Sequence, residues 1–188
     1  MPRSAGRSWR SFDPLQMAAP AGLRPHAASC RILGLDPGSL RTGFGVIDCT
    51  PQGERHVASG VIRTGGGELA HRLQLIYREV AALVEQYRPQ EVAVERVFVH
   101  RNPDSALKLG QARGAAICAA GLSGAQLYEY APRAIKLAVV GTGAADKVQV
   151  QFMIQALLAV KGPLAADAAD ALAVGLCHGQ ARRLQVLG

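Results

Sequence analysis

The sequence predicts an α/β domain built on a five-stranded mixed sheet flanked by helices, and three observations predict it. Short apolar runs bounded by Gly, Pro or a carboxylate alternate with longer stretches in which apolar residues recur every three or four positions. Their order along the chain is βββαβαβαα, so the first three strands form a meander and the later ones return through helices. With 188 residues, 49% of them hydrophobic and 19% charged, the chain suits one sizeable core and is too apolar for a disordered chain. No run approaches the roughly 18 consecutive apolar residues that a membrane helix requires.

The elements follow in order. The first strand is the run at 31–36, stopped by Asp36 and then by the turn residues Pro37, Gly38 and Ser39. Extended runs at 42–49 and 55–64 complete an antiparallel meander. Leu69, Leu73, Ile76, Val80, Leu83 and Tyr87 lay one apolar stripe along a helix at 68–87, which Pro89 ends. A buried strand at 92–95, a helix rich in small residues at 104–120 and a fifth strand at 126–131 come next. Pro132 opens a short helix. Beyond the loop from Val140 to Gly143, helices are expected at 145–160 and 166–181, which closes a domain at 30–181 and leaves 182–188 as a tail.

Residues 1–29 read differently. Four prolines punctuate them and four arginines stand against one acid, so they are expected to be a disordered basic arm, or an over-long start with Met17 as an internal alternative. The whole chain carries 21 Lys and Arg against 14 Asp and Glu, a net charge of +7. Without the arm the balance is still 17 to 13. A basic chain is drawn to polyanions, which makes nucleic acid the first partner to consider against a merely soluble basic protein. Cys30, Cys49, Cys118 and Cys177 match neither zinc spacing nor a dense disulfide framework, and read as reduced thiols of a cytoplasmic protein.

Carboxylates stand where hydrophobic structure ends. Asp36 closes the first strand and Glu95 the fourth, and the carboxyl ends of strands in an open α/β sheet look into the ligand crevice. Asp167 and Asp170 lie three apart, roughly 4.5 Å along one helix face. Singly, each has an ordinary reading as a turn opener, surface charge, N-cap or first-turn acid. Together, and with Asp170 among alanines and Leu172, they suggest a divalent cation, since unpaired buried carboxylates are costly. Hard oxygen donors suit Mg²⁺ or Mn²⁺, and a cationic surface around an acidic pocket suits two-metal phosphodiester hydrolysis. His178 is expected to pack rather than to ligate. Arg101, Lys108 and Arg113 in or near the helix after the fourth strand, with Lys136 and Lys147 flanking the glycine loop, are candidate phosphate contacts, or else scattered solvated cations. Phe98, among basic neighbours just past Glu95, is either a base-stacking aromatic or a core residue.

From Gly34-Leu35-Asp36-Pro37-Gly38-Ser39 and Thr42-Gly43-Phe44-Gly45-Val46 onward, the chain resembles the RuvC-type Holliday-junction resolvases. The likeness continues through Glu95-Arg96-Val97-Phe98, Asn102 to Ala106, Leu109 to Gly114, Lys136 with Val139-Val140-Gly141, Ala145 to Val150 and Asp167 to Leu172. It implies an RNase H-like fold, a homodimer, and Mg²⁺-dependent nicking of two opposed strands of a four-way junction. By motif, Asp36, Glu95, Asp167 and Asp170 would bind metal, Lys136 and Lys147 would act near the scissile phosphate, and Phe98 would sit at the junction centre. RuvA and RuvB would be partners. Arg96 and Leu137 both stand where Gln is usual. Rival readings are an actin-like ATPase, for which the chain has no second lobe, and a junction binder without cleavage, which the four acids disfavour.

Overall fold

A computed structural model describes residues 29–96, 102–143 and 145–187, with the side chains of 185–187 left aside. Five strands, β1 (Cys30–Asp36), β2 (Arg41–Thr50), β3 (Gly53–Arg63), β4 (Glu91–Glu95) and β5 (Gln126–Tyr130), form one sheet in the order β3-β2-β1-β4-β5. The β1–β2–β3 meander is antiparallel, whereas β4 and β5 run parallel to β1, so the sheet is mixed as expected. Crossovers through α1 (Leu69–Tyr87) and α2 (Pro103–Gly121) make those parallel pairs possible.

Strand alternation divides the core in two. Leu33, Leu35, Val46, Val92 and Val94 pack with Ile76, Val80 and Ala116 under α1 and α2. Ile32, Ile47 and Ala93 face the other way, against α3 (Pro132–Val140), α4 (Lys147–Leu157) and α5 (Ala166–Leu187). Helix α5 lies very close to the sheet because glycines line its bed. A Cβ on Gly34 would overlap the carbonyl oxygen of Ala171, one on Gly43 the carbonyl oxygen of Asp167, and one on Gly45 would come within 2.7 Å of the Leu172 side chain.

The larger departures from the expected boundaries lie in the last two helices. Helix α4 starts at Lys147 because Asp146 caps it: Asp146 accepts from the Gln149 N–H at 2.8 Å and Gln149 Oε1 accepts from the Asp146 N–H at 3.0 Å. It stops at Leu157, since Ala159 is left-handed with φ 49°. Helix α5 continues to Leu187, where a tail was expected from 182, because Arg182 is buried with its Nε 2.6 Å from Glu91 Oε2. No helix among the described residues is long and apolar enough to cross a membrane.

Candidate active site

The same alternation that makes the core places the acids. Asp36 follows Ile32 and Gly34 on the α5 side of β1, and Glu95 follows Ala93 on the same side of β4. The parallel register pairs Leu35 with Val94, so Asp36 and Glu95 sit side by side at the strand ends. The glycine bed brings the first turns of α5 over them. Asp167 and Asp170 complete the group, and all four predicted carboxylates are thereby drawn to one end of the sheet.

The electrostatics record that convergence. Burial, together with the charges of Glu95, Asp170 and Asp167, pushes the Asp36 carboxyl up to about 7, and Asp36 and Glu95 share a hydrogen bond. Glu95 is also raised by burial and by Asp170, against the opposing pull of Lys147 and Lys136. Lys147 Nζ lies 3.4 Å from Asp170 Oδ2, and that carboxylate raises its ammonium. On the far side, Arg41 Nη1 stands 3.8 Å from Asp167 Oδ2. The two acids of α5 are thus each turned toward a cation of the chain, and among the described residues no three Asp, Glu, His or Cys side chains are arranged to hold a metal ion as they stand. The donor chemistry nevertheless fits a hard divalent ion: the set is all oxygen, and the burial and mutual repulsion that raise Asp36 are what such a charge would offset.

The predicted basic residues are distributed unevenly. Lys136, on α3, is near enough to Glu95 to lower it, and the α4 cap holds Lys147 at the first position of its helix. Lys108 is spent on Asp104 one turn away, at 2.5 Å. Arg113 lies on α2 across the sheet, where it donates to the Glu95 carbonyl oxygen at 3.2 Å and pairs with Glu129, which Arg96 also approaches at 3.7 Å. Its guanidinium holds the end of β4 rather than standing free. Phe98 and Arg101 lie outside the described residues. His178 is 1% exposed and shared between Glu91 Oε2 and the Tyr130 hydroxyl, each at 2.7 Å, so it packs as expected. Glu91 is at the opposite end of β4 from Glu95, about 13 Å away at strand rise. Sequence reasoning missed Arg41 and Glu129, whose roles depend on register; only Arg41's place just after the Asp36 turn hinted at it.

A sheet of this topology carrying acids at the ends of β1 and β4 and on the closing helix defines an RNase H-like nuclease. Thermus thermophilus RuvC superposes with a TM-score of 0.75 at 33% identity over 83% of this chain and 97% of that one, and T. thermophilus RuvC in complex with Holliday junction substrate with 0.77 at 32% over 84% and 97%. The yeast mitochondrial Holliday junction resolvase Ydc2, at 13% identity and a TM-score of 0.60 over 83% of this chain and 81% of that one, shares the fold. The crossover junction endodeoxyribonuclease RuvC of Dichelobacter nodosus is 54% identical over 160 residues, 85% of this chain and 90% of that protein. That of Marinobacter nauticus is 56% identical over 147 residues, 78% and 84% respectively. Residues 32–178 match the crossover junction endodeoxyribonuclease RuvC family, and the chain belongs to it.

Proposed function

We propose that this chain resolves Holliday junctions by hydrolysing a phosphodiester in each of two opposed strands as a homodimer, with Asp36, Glu95, Asp167 and Asp170 as the catalytic and metal-binding carboxylates. The observation that carries the reading is their convergence at one buried end of the sheet, where burial and the neighbouring acids push Asp36 up to about 7. Mg²⁺, with Mn²⁺ as a substitute and two ions per site, supplies Lewis acidity and an activated water when bound. The protein's own part is positioning. Asp36 and Glu95 stand on rigid strand ends, and Asp167 and Asp170 on a helix pressed to the sheet. Lys147 and Lys136 bring positive charge to the edge of the acids, where a transferring phosphoryl group gathers negative charge. Phe98 and Arg101 are proposed to contact the junction, with Lys136 and Lys147. Lys108 contributes there only by leaving Asp104, and Arg113 acts through the β4 end.

Dimerisation is supported by the outward face of α2. Leu107 (67% exposed), Gly110, Gly114, Cys118 and Leu122 follow one another at helical spacing, away from the face that packs on α1. Two such faces approach closely because glycine leaves the backbone bare. By family resemblance the partners are RuvA and RuvB and the location is the cytoplasm.

The test is a gel assay on a synthetic four-way junction and a linear duplex of matched sequence, with Mg²⁺ or EDTA. Paired nicks in the junction alone, and only with metal, are expected. Tight binding without nicks under Mg²⁺ would leave a non-catalytic junction binder.

A further inference from the structure

Edge strand β3 and the connection between α4 and α5 bound an open groove of about 460 Å³ beside the carboxylates. Which residues face it follows from strand alternation. Gly43 and Gly45 point at α5, so Arg41, two residues earlier on β2, points there too; it reaches Asp167. Arg63 is the Cα partner of Arg41 in the β2–β3 ladder and shares that face. Its side chain lines the groove, and Lys161 lines the opposite wall. Ala165, just before α5, and Ala168, in its first turn beside Asp167, also line it. The groove therefore borders the first turn of α5, which carries Asp167.

Its charge is what marks it. No Asp or Glu lines it, and among the described residues neither Arg63 nor Lys161 makes an ion pair, although both are exposed. By contrast Arg31 is committed to Asp48, Lys108 to Asp104, Arg113 to Glu129 and Arg183 to Glu54. His56 adds a polar group, its Nε2 3.0 Å from Ser59 Oγ. A trough with two cations that make no ion pair, bordering the turn that carries Asp167, matches the repeating negative charge of a nucleic-acid backbone.

We infer that this groove is a track for the phosphodiester backbone of a duplex arm of the junction, gripped by Arg63 and Lys161 beyond the phosphate that is cut. The inference rests on the nuclease reading above. It is tested with the full chain carrying Arg63→Ala and Lys161→Ala together. Junction binding is measured in EDTA across a salt series, and single-turnover cleavage at saturating protein with Mg²⁺. Affinity is expected to fall about tenfold, and the slope of log K against log salt to fall by roughly 2, since each phosphate contact contributes about 0.9. The cleavage rate at saturation stays at the wild-type value, and Arg63→Lys with Lys161→Arg restores affinity. Unchanged affinity and slope would overturn the track. So would an equal loss in Arg78→Ala, which removes a cation from α1 across the sheet, or a slower rate at saturation with affinity intact. Both groove side chains are exposed, and a thermal melt with the paired glutamine substitutions confirms that folding is not the cause. Failure of the wild-type protein to bind or cut junctions would instead sink the nuclease reading itself.

Discussion

At the scale of single residues, Asp36 is the one whose neighbours most oppose its charge. Above pH 7 it is ionised beside three other carboxylates, and its raised value means that this ionisation disfavours the folded state as pH rises through about 7. Asp36→Asn is therefore expected to melt several degrees higher than wild type at pH 8 in EDTA while losing all cleavage and keeping junction affinity. Equal melting temperatures would show that burial and the neighbouring acids do not oppose the Asp36 charge as the geometry requires. Lys147 is exposed and held only by its helix cap and Asp170, so Lys147→Ala should fold normally. Removing a charge placed at the reacting phosphate costs about 100-fold in single-turnover rate by analogy with other electrostatic stabilisers. Glu91 is different in kind, being buried with His178 and Arg182 far from the acids. Glu91→Ala leaves those partners in the core and is expected to cost about 3–5 kcal/mol in urea denaturation.

Among the elements, α5 and its glycine bed decide whether the acids meet. Gly43→Ala forces a methyl onto the Asp167 carbonyl, so the first turn of α5 has to lift. A stability loss of about 1–3 kcal/mol is expected, with a larger proportional loss of cleavage than of stability. Gly66→Ala, at a glycine with open space around it, serves as the matched control and should change neither. Helix α2 carries the second prediction at this scale. If its bare face is the dimer contact, mild oxidation should link two chains through Cys118, the exposed thiol among the described residues, giving a species of twice 19.8 kDa. Leu107→Glu should abolish that species and leave monomers in analytical ultracentrifugation. The capping box of α4 is a local signal, Asp146 and Gln149 standing three residues apart, yet the expected helix began at 145 and passed over it. The extension of α5 past residue 181 has no local signal, because the partner that holds Arg182 lies 91 residues earlier in the chain.

For the molecule as a whole, the distribution of charge matters more than its sum. The +7 is not spread evenly. Four acids gather at one end of the sheet, Lys108 and Arg113 on α2 are paired with Asp104 and Glu129, and Arg63 and Lys161 stand in the groove beside β3 without ion pairs among the described residues. Divalent metal binding to the native acids should therefore stabilise the entire domain, because a ligand that binds only the folded state raises its melting temperature by mass action. In thermal melts, Mg²⁺ is expected to raise the midpoint of wild type by a few degrees and that of Asp36→Asn by much less.

The sequence alone determined the element order, the mixed sheet, the four carboxylates and the resemblance that named their chemistry. Each of these is written in local terms: apolar periodicity, turn residues after Asp36, and acids at strand and helix ends. What the tertiary structure decided is which charges are free to act. Arg113 looked like a phosphate contact and holds Glu129 and the β4 end; Arg41, just before the expected second strand, and Arg63, within the third, were not singled out and face the site or its groove. Pairing of this kind depends on strand register and on how closely α5 can approach the sheet. Those are set by contacts between residues many positions apart, which no local pattern in the chain encodes.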